Sequence, residues 1–209
     1  DDLFGNFIKR LQQEIPQSVN IILLSDHGMM QVDKNKSIEL STVFNEQVTA
    51  LIAKKSLIVA KSTTQLFVYF DQEKIKKPEQ NIILQSVIAR QKLNANLYSV
   101  YQKNNYPSHW QFNNTLAITP DFIVEAAPTA SFIYNNGSVS SATHGYDALN
   151  QPELAAIFIA AGPDLIKGRA VNPVENIHIV PLMTQLLGLK QLDKIDGKIS
   201  ELAPILQIN

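Results

Sequence analysis

The sequence contains no cysteine. Disulfides and cysteine-rich zinc knuckles are thereby excluded, which leaves His and carboxylate side chains as the only strong metal ligands. There is also no apolar run of about 18 residues, so no segment reads as a membrane-spanning helix. Net charge is nearly absent: 18 basic against 19 acidic side chains give −1. A chain without a positive field offers no nucleic-acid-binding surface. The locally basic Lys74-Ile75-Lys76-Lys77 reads as a solvated loop ahead of Pro78. Internal repeats and low-complexity segments are missing too. No Gly-x-Ser-x-Gly elbow accompanies Ser25, which therefore reads as a strand-end cap and not as a hydrolase nucleophile.

What is present is ordinary for a globular chain of 209 residues, 45% hydrophobic and 18% charged, which can bury a core. Its most informative stretch is Ser25-Asp26-His27-Gly28-Met29, directly after the apolar run from Val19 to Leu24. Such a run reads as a buried central strand of a parallel sheet. Open α/β sheets place their ligands in the loops leaving the carboxyl ends of such strands. Gly28 permits a sharp turn there, and the adjacent Asp26 and His27 can supply part of a zinc ligand set. A second segment, Thr143-His144-Gly145-Tyr146-Asp147, precedes the apolar run Leu154 to Ala160. Two His-Gly steps beside apolar strands suggest ligands converging on one polar cleft.

In this order and separation, SDHGM and THGYD resemble the type I phosphodiesterase/nucleotide pyrophosphatase family of the alkaline phosphatase superfamily. Phe158-Ile159-Ala160-Ala161-Gly162-Pro163, Val174-Glu175-Asn176-Ile177 and Pro181 to Gly188 extend the likeness, which runs from about residue 3 to about residue 190. The resemblance implies an α/β fold: an alkaline-phosphatase-like, mostly parallel sheet flanked by helices, with a small α+β insertion at about residues 49–135. It also implies two zinc ions. Asp26 and His27 would hold the one that binds a Thr nucleophile, and His144 would hold the other. The family's nucleophile, a further Asp ligand and an Asp-x-x-x-His pair have no counterpart in residues 1–209. The chain is thus expected to be the carboxyl-terminal half of a catalytic domain, with poor zinc occupancy and no activity alone. Self-association through the surface meant for the missing half is a further expectation. The implied substrate is a nucleotide or other phosphodiester, and the implied location is periplasmic or extracellular. Phosphomonoesterase, phosphonate hydrolase and sulfatase activities of the same superfamily stay open, as does a non-catalytic fragment that completes or binds another chain.

Neighbouring residues have plainer readings. Asp147 either orients His144 from behind or caps a turn, and Tyr146 either packs against the site or anchors its loop in the core. Thr143 shapes the loop, and His109 lies where the family has a substrate-facing or structural segment and reads as structural. His178 reads as a surface residue on an extended piece spanning Ile177 to Ile179. The spacing predicts a helix over 2–14 closed by Pro16, and a hairpin of 57–60 with 66–70. A second helix is expected from Pro78 to about Leu93, with Ile82, Ile83, Val87 and Ile88 buried. Strands are expected at 97–101, 116–118, 122–126 and 132–134, and a last helix from Pro181 to Gly188.

Overall fold

Helix α1, Asp2–Glu14, carries Asp2 in its first turn, where negative charge complements the helix dipole. It stops as Ile15 turns extended, the conformation imposed on a residue preceding proline. The computed structural model describes residues 1–113, 115–116, 118–134, 137–191 and 193–207. Ala117 in the expected strand 116–118, Asn135 at the end of the expected insertion, and Asn209 lie outside the described residues.

Along the chain follow β1 (Ile21–Leu24), β2 (Met30–Gln31), β3 (Ser37–Glu39), α2 (Leu40–Val43), α3 (Glu46–Ala53), β4 (Leu57–Lys61) and β5 (Gln65–Phe70). Then come α4 (Lys77–Leu93), β6 (Tyr98–Gln102), β7 (Phe122–Ala126), β8 (Ser131–Ile133), β9 (Ala142–Thr143), β10 (Phe158–Ala161) and α5 (Ile179–Leu186). They divide between two compact units, a continuous one of residues 27–155 and a discontinuous one of residues 1–26 with 156–209.

The continuous unit is built on an antiparallel sheet in the order β4-β5-β7-β6. All five residues of β7 are buried, as expected of a strand covered on both faces. Helix α4 adds Ile83 and Val87 to the core that holds Tyr98, Phe122 and Val124. Proline near its start is tolerated because that position lacks an intrahelical partner in any case. Ile82, expected in the buried stripe, is instead 69% exposed, because the stripe continues through Gln80, Ile83 and Val87. Of the described residues in the expected strand 116–118, Leu116 lies in a bend and Ile118 in a turn, and both are exposed.

In the discontinuous unit, Leu165, Ile179, Leu182, Leu202 and Ile205 form a small separate core. Strand β1 pairs with β10 antiparallel, Ile21 opposite Ala161 and Leu24 opposite Phe158. Among the described pairings only β3 with β8 is parallel, so the parallel partner expected for β1 is corrected. An apolar β-branched run reads the same in either direction, and its pattern cannot specify a partner's polarity. The expected extended piece at 177–179 is likewise corrected: Asn176–His178 is a 3-10 turn that runs into α5. His178 lies buried there, its Nδ1 accepting the Lys198 N–H at 3.0 Å. Burial between isoleucines therefore reflects a turn interior, not a strand.

Candidate functional site

Within the continuous unit, a two-residue ladder draws the two His-Gly loops together. Met30 of β2 pairs with Thr143 of β9, and Gln31 pairs with Ala142. The Val32 N–H extends the ladder by donating to the Ser141 carbonyl at 3.0 Å. His27 lies just before one strand of this ladder, and His144 just after the other. Their rings consequently stack, with centroids 3.7 Å apart and planes inclined by 18°. His27 is half-buried and His144 exposed.

Each loop has a local reason for its shape. Gly28 is not in a left-handed conformation, so the expected sharp turn is not what requires it. A Cβ there would lie 2.1 Å from the Glu153 carbonyl oxygen. The close approach is held by the Gly28 N–H donating to Leu154 O at 2.8 Å and the Met29 N–H to Glu153 O at 3.1 Å. Gly145 does need its freedom: its φ is +99°, which side-chain-bearing residues rarely adopt. The Thr64 hydroxyl donates to the His144 carbonyl at 3.2 Å and fixes the same turn.

His27 Nδ1 lies 2.7 Å from the Gly28 carbonyl oxygen. A carbonyl only accepts, so Nδ1 carries the proton, and neutral imidazole then keeps its lone pair on Nε2. Metal-ligating histidines are held in one tautomer in this way. Asp26 is exposed and ends the first segment of the discontinuous unit, one residue before His27. Ser25 of that unit caps the strand end as expected: its Oγ accepts the Ile157 N–H at 3.0 Å. Among the described residues, no cluster of three or more His, Cys, Asp or Glu side chains comes together to hold a metal ion.

Tyr146 is buried in the main core, and its hydroxyl donates to the Ala130 carbonyl at 2.6 Å. Burial pushes the phenol up to about 12. Thr143 is buried with its hydroxyl 2.7 Å from that of Thr63, which suits the loop-shaping reading. Asp147 caps its turn, accepting from the Leu149 N–H and the Asn150 side chain at 3.1 and 2.9 Å. Its two carboxylate oxygens also lie 2.9 and 3.0 Å from His109 Nε2. Sequence reasoning missed Glu125, a buried carboxylate in β7. Burial pushes its carboxyl up to about 7, against a Gln65 hydrogen bond that lowers it and the Asp147 charge that raises it further. One signal was available, a single acid inside the apolar run from Phe122 to Ala126.

Residues 1–147 match the family described as type I phosphodiesterase / nucleotide pyrophosphatase. A bis(5'-adenosyl)-triphosphatase of Mus musculus is 26% identical over 191 residues, 91% of this chain and 38% of the relative. An uncharacterized pyrophosphatase/phosphodiesterase of Schizosaccharomyces pombe is 29% identical over 197 residues, 90% of this chain and 39% of its own. The chain thus spans about two fifths of the length of the curated relatives it matches. The structure of human ectonucleotide pyrophosphatase / phosphodiesterase 5 superposes with a TM-score of 0.78 at 19% identity, covering 98% of this chain and 50% of that one. That likeness shows an alkaline-phosphatase-like α/β fold. No described helix is long and apolar enough to cross a membrane. On the match that runs through both His-Gly loops, this chain belongs to the type I phosphodiesterase / nucleotide pyrophosphatase family.

Proposed function

We propose that this chain is the carboxyl-terminal half of a zinc-dependent phosphodiesterase or nucleotide pyrophosphatase, with residues of about 49–135 as an α+β insertion. The observation that carries the reading is the stacked pair of imidazoles. The rings of His27 and His144 lie face to face with centroids 3.7 Å apart, which brings the histidines of both His-Gly motifs to one place. One imidazole to each of two neighbouring ions is the arrangement the family resemblance implies, and two-metal phosphoryl-transfer sites hold such ions about 3.5–4 Å apart. His27, with Nδ1 tied to Gly28, offers Nε2. Asp26, its neighbour in sequence, is the carboxylate proposed to accompany it, and His144 is the ligand proposed for the second ion. Asp147 and Tyr146 are the residues proposed to hold the His144 loop in place, Asp147 through its turn and Tyr146 through the core.

When bound, the two zinc ions would supply fixed positive charge for the developing phosphoryl oxygens and lower the pKa of the nucleophile. This chain's residues would orient and electrostatically hold that charge, and they would not attack phosphorus themselves. The nucleophile proposed for the complete protein is a Thr outside these residues, and the 209-residue chain alone is expected to be inactive and to self-associate. A nucleotide substrate is supported by a related murine structure described as a complex with AMP.

The test compares the complete protein, with zinc, on the p-nitrophenyl ester of thymidine monophosphate and on p-nitrophenyl phosphate. Diester preference, lost in His144→Ala, is the expected result. Preference for the monoester would overturn the diesterase reading.

A further inference from the structure

His109 lies 35 positions before His144, and nothing in the motif reading gives it a task. Its surroundings in the continuous unit do. The Ser108–Trp110 turn presents Nε2 to both oxygens of Asp147, whose side chain is only 14% exposed. A carboxylate that faces one ring nitrogen with both oxygens, while accepting two further bonds from its own turn, is fixed in position. The Asp147 N–H is fixed as well, because it donates to the carboxyl of Glu125. Glu125 is in turn held from three sides. Gln65 of β5 donates to it at 3.4 Å, the Tyr101 hydroxyl of β6 is hydrogen-bonded to it, and its own strand is buried throughout. The Trp110 ring, edge-on to Tyr101 at 4.9 Å, connects the His109 turn to the same strand.

Asp147 therefore stands between a rigid sheet and His109, three residues after His144. The intervening Gly145 is in a left-handed conformation and Tyr146 is anchored in the core, so little slack separates Asp147 from His144. We infer that His109 is a positioning residue: through Asp147 it locks the 144–150 loop onto the β5-β7-β6 floor and so holds His144 against His27. This deepens the reading of His27 and His144 as neighbouring metal ligands and rests on it for its metal arm alone. Partners hydrogen-bonded directly to a metal ligand typically change metal affinity about 10–100-fold when removed, so a residue acting through the loop behind the ligand is expected at the low end of that range.

The test uses the full chain and the variants His109→Ala, His109→Gln and Asp147→Asn. Imidazole proton resonances and the nuclear Overhauser contact between the His27 and His144 rings are read without metal. Zinc affinity is then measured by competition. In His109→Ala the inter-ring contact should vanish and zinc affinity should fall by about tenfold, with far-UV circular dichroism unchanged. His109→Gln, whose side-chain amide still donates to Asp147, should restore most of both. A purely structural role would lower the melting temperature without moving the His144 signals. A folded His109→Ala chain with the ring contact intact overturns the inference. If that variant does not fold, Asp147→Asn decides in the same two ways, since it keeps a turn acceptor but loses the carboxylate facing Nε2. A wild-type chain that takes up no zinc counts against the metal reading, while the ring signals still judge His109.

Discussion

The continuous unit, residues 27–155, and the discontinuous unit, residues 1–26 with 156–209, solve the burial problem differently. In the first, Tyr98, Phe44, Phe122, Phe132, Leu57 and Leu66 are all fully buried in one cluster. Each such side chain contributes about 1.5–3 kcal/mol on removal from water. In the second, α1 buries none of its residues, Leu3 is 86% exposed, and the two-stranded β1–β10 ribbon leaves Leu24 and Ile159 in solvent. Ribbons of two strands are marginal alone and need a further layer. Internal stability thus belongs mainly to the first unit, and apolar surface with no internal partner mainly to the second.

The most direct way to break that contrast is Phe122→Ala in the fully buried strand. It should cost about 3–5 kcal/mol in urea unfolding, and a loss under 1 would mean that the core is elsewhere. A second test uses Glu125, whose carboxyl is held up to about 7 when folded, against an ordinary 4.5. As pH rises, the unfolded chain releases this proton first. The contribution of Glu125 to stability should therefore be greatest below about 4.5, fall through about 7 and then level off. The whole decline amounts to about 3 kcal/mol. Glu125→Gln should remove it, as unfolding at pH 5 and pH 8 would show; an unchanged slope would assign the decline to other groups. Tyr146→Phe loses one buried hydrogen bond and leaves the Ala130 carbonyl without it, which should lower stability by about 1–3 kcal/mol in calorimetry. Ile159→Ser, at a position 57% exposed in the discontinuous unit, should fall within about 0.5 kcal/mol of wild type. A large cost there would mean that the ribbon is covered after all.

The sequence made much of this visible for identifiable reasons. Helix α1, the β4–β5 hairpin, α4 and β7 each carry a local periodicity or an uninterrupted apolar run, and those survive folding nearly unshifted. Strand polarity was not legible, because β1 has the same composition whichever way its partner runs. His178 was misread because an isoleucine on either side looks alike in a strand and in a buried turn. At the site, the two His-Gly steps announced themselves, but the ladder that joins them is two residues long and far too short to leave a pattern. Asp147 beside His109 and Glu125 beneath it are contacts across tens of residues, invisible to any local rule.

The meeting of Gly28 and Met29 with Leu154 and Glu153 has a kinetic meaning. These bonds close the two ends of the continuous unit upon each other. Strands β1 and β10, separated in the chain by everything in between, would face a long and entropically costly search if they paired first. Once residues 27–155 have folded, the same pairing becomes the zipping of two tails issuing from neighbouring points. Refolding is therefore expected to run inward-out, the middle of the chain leading and its extremities joining last.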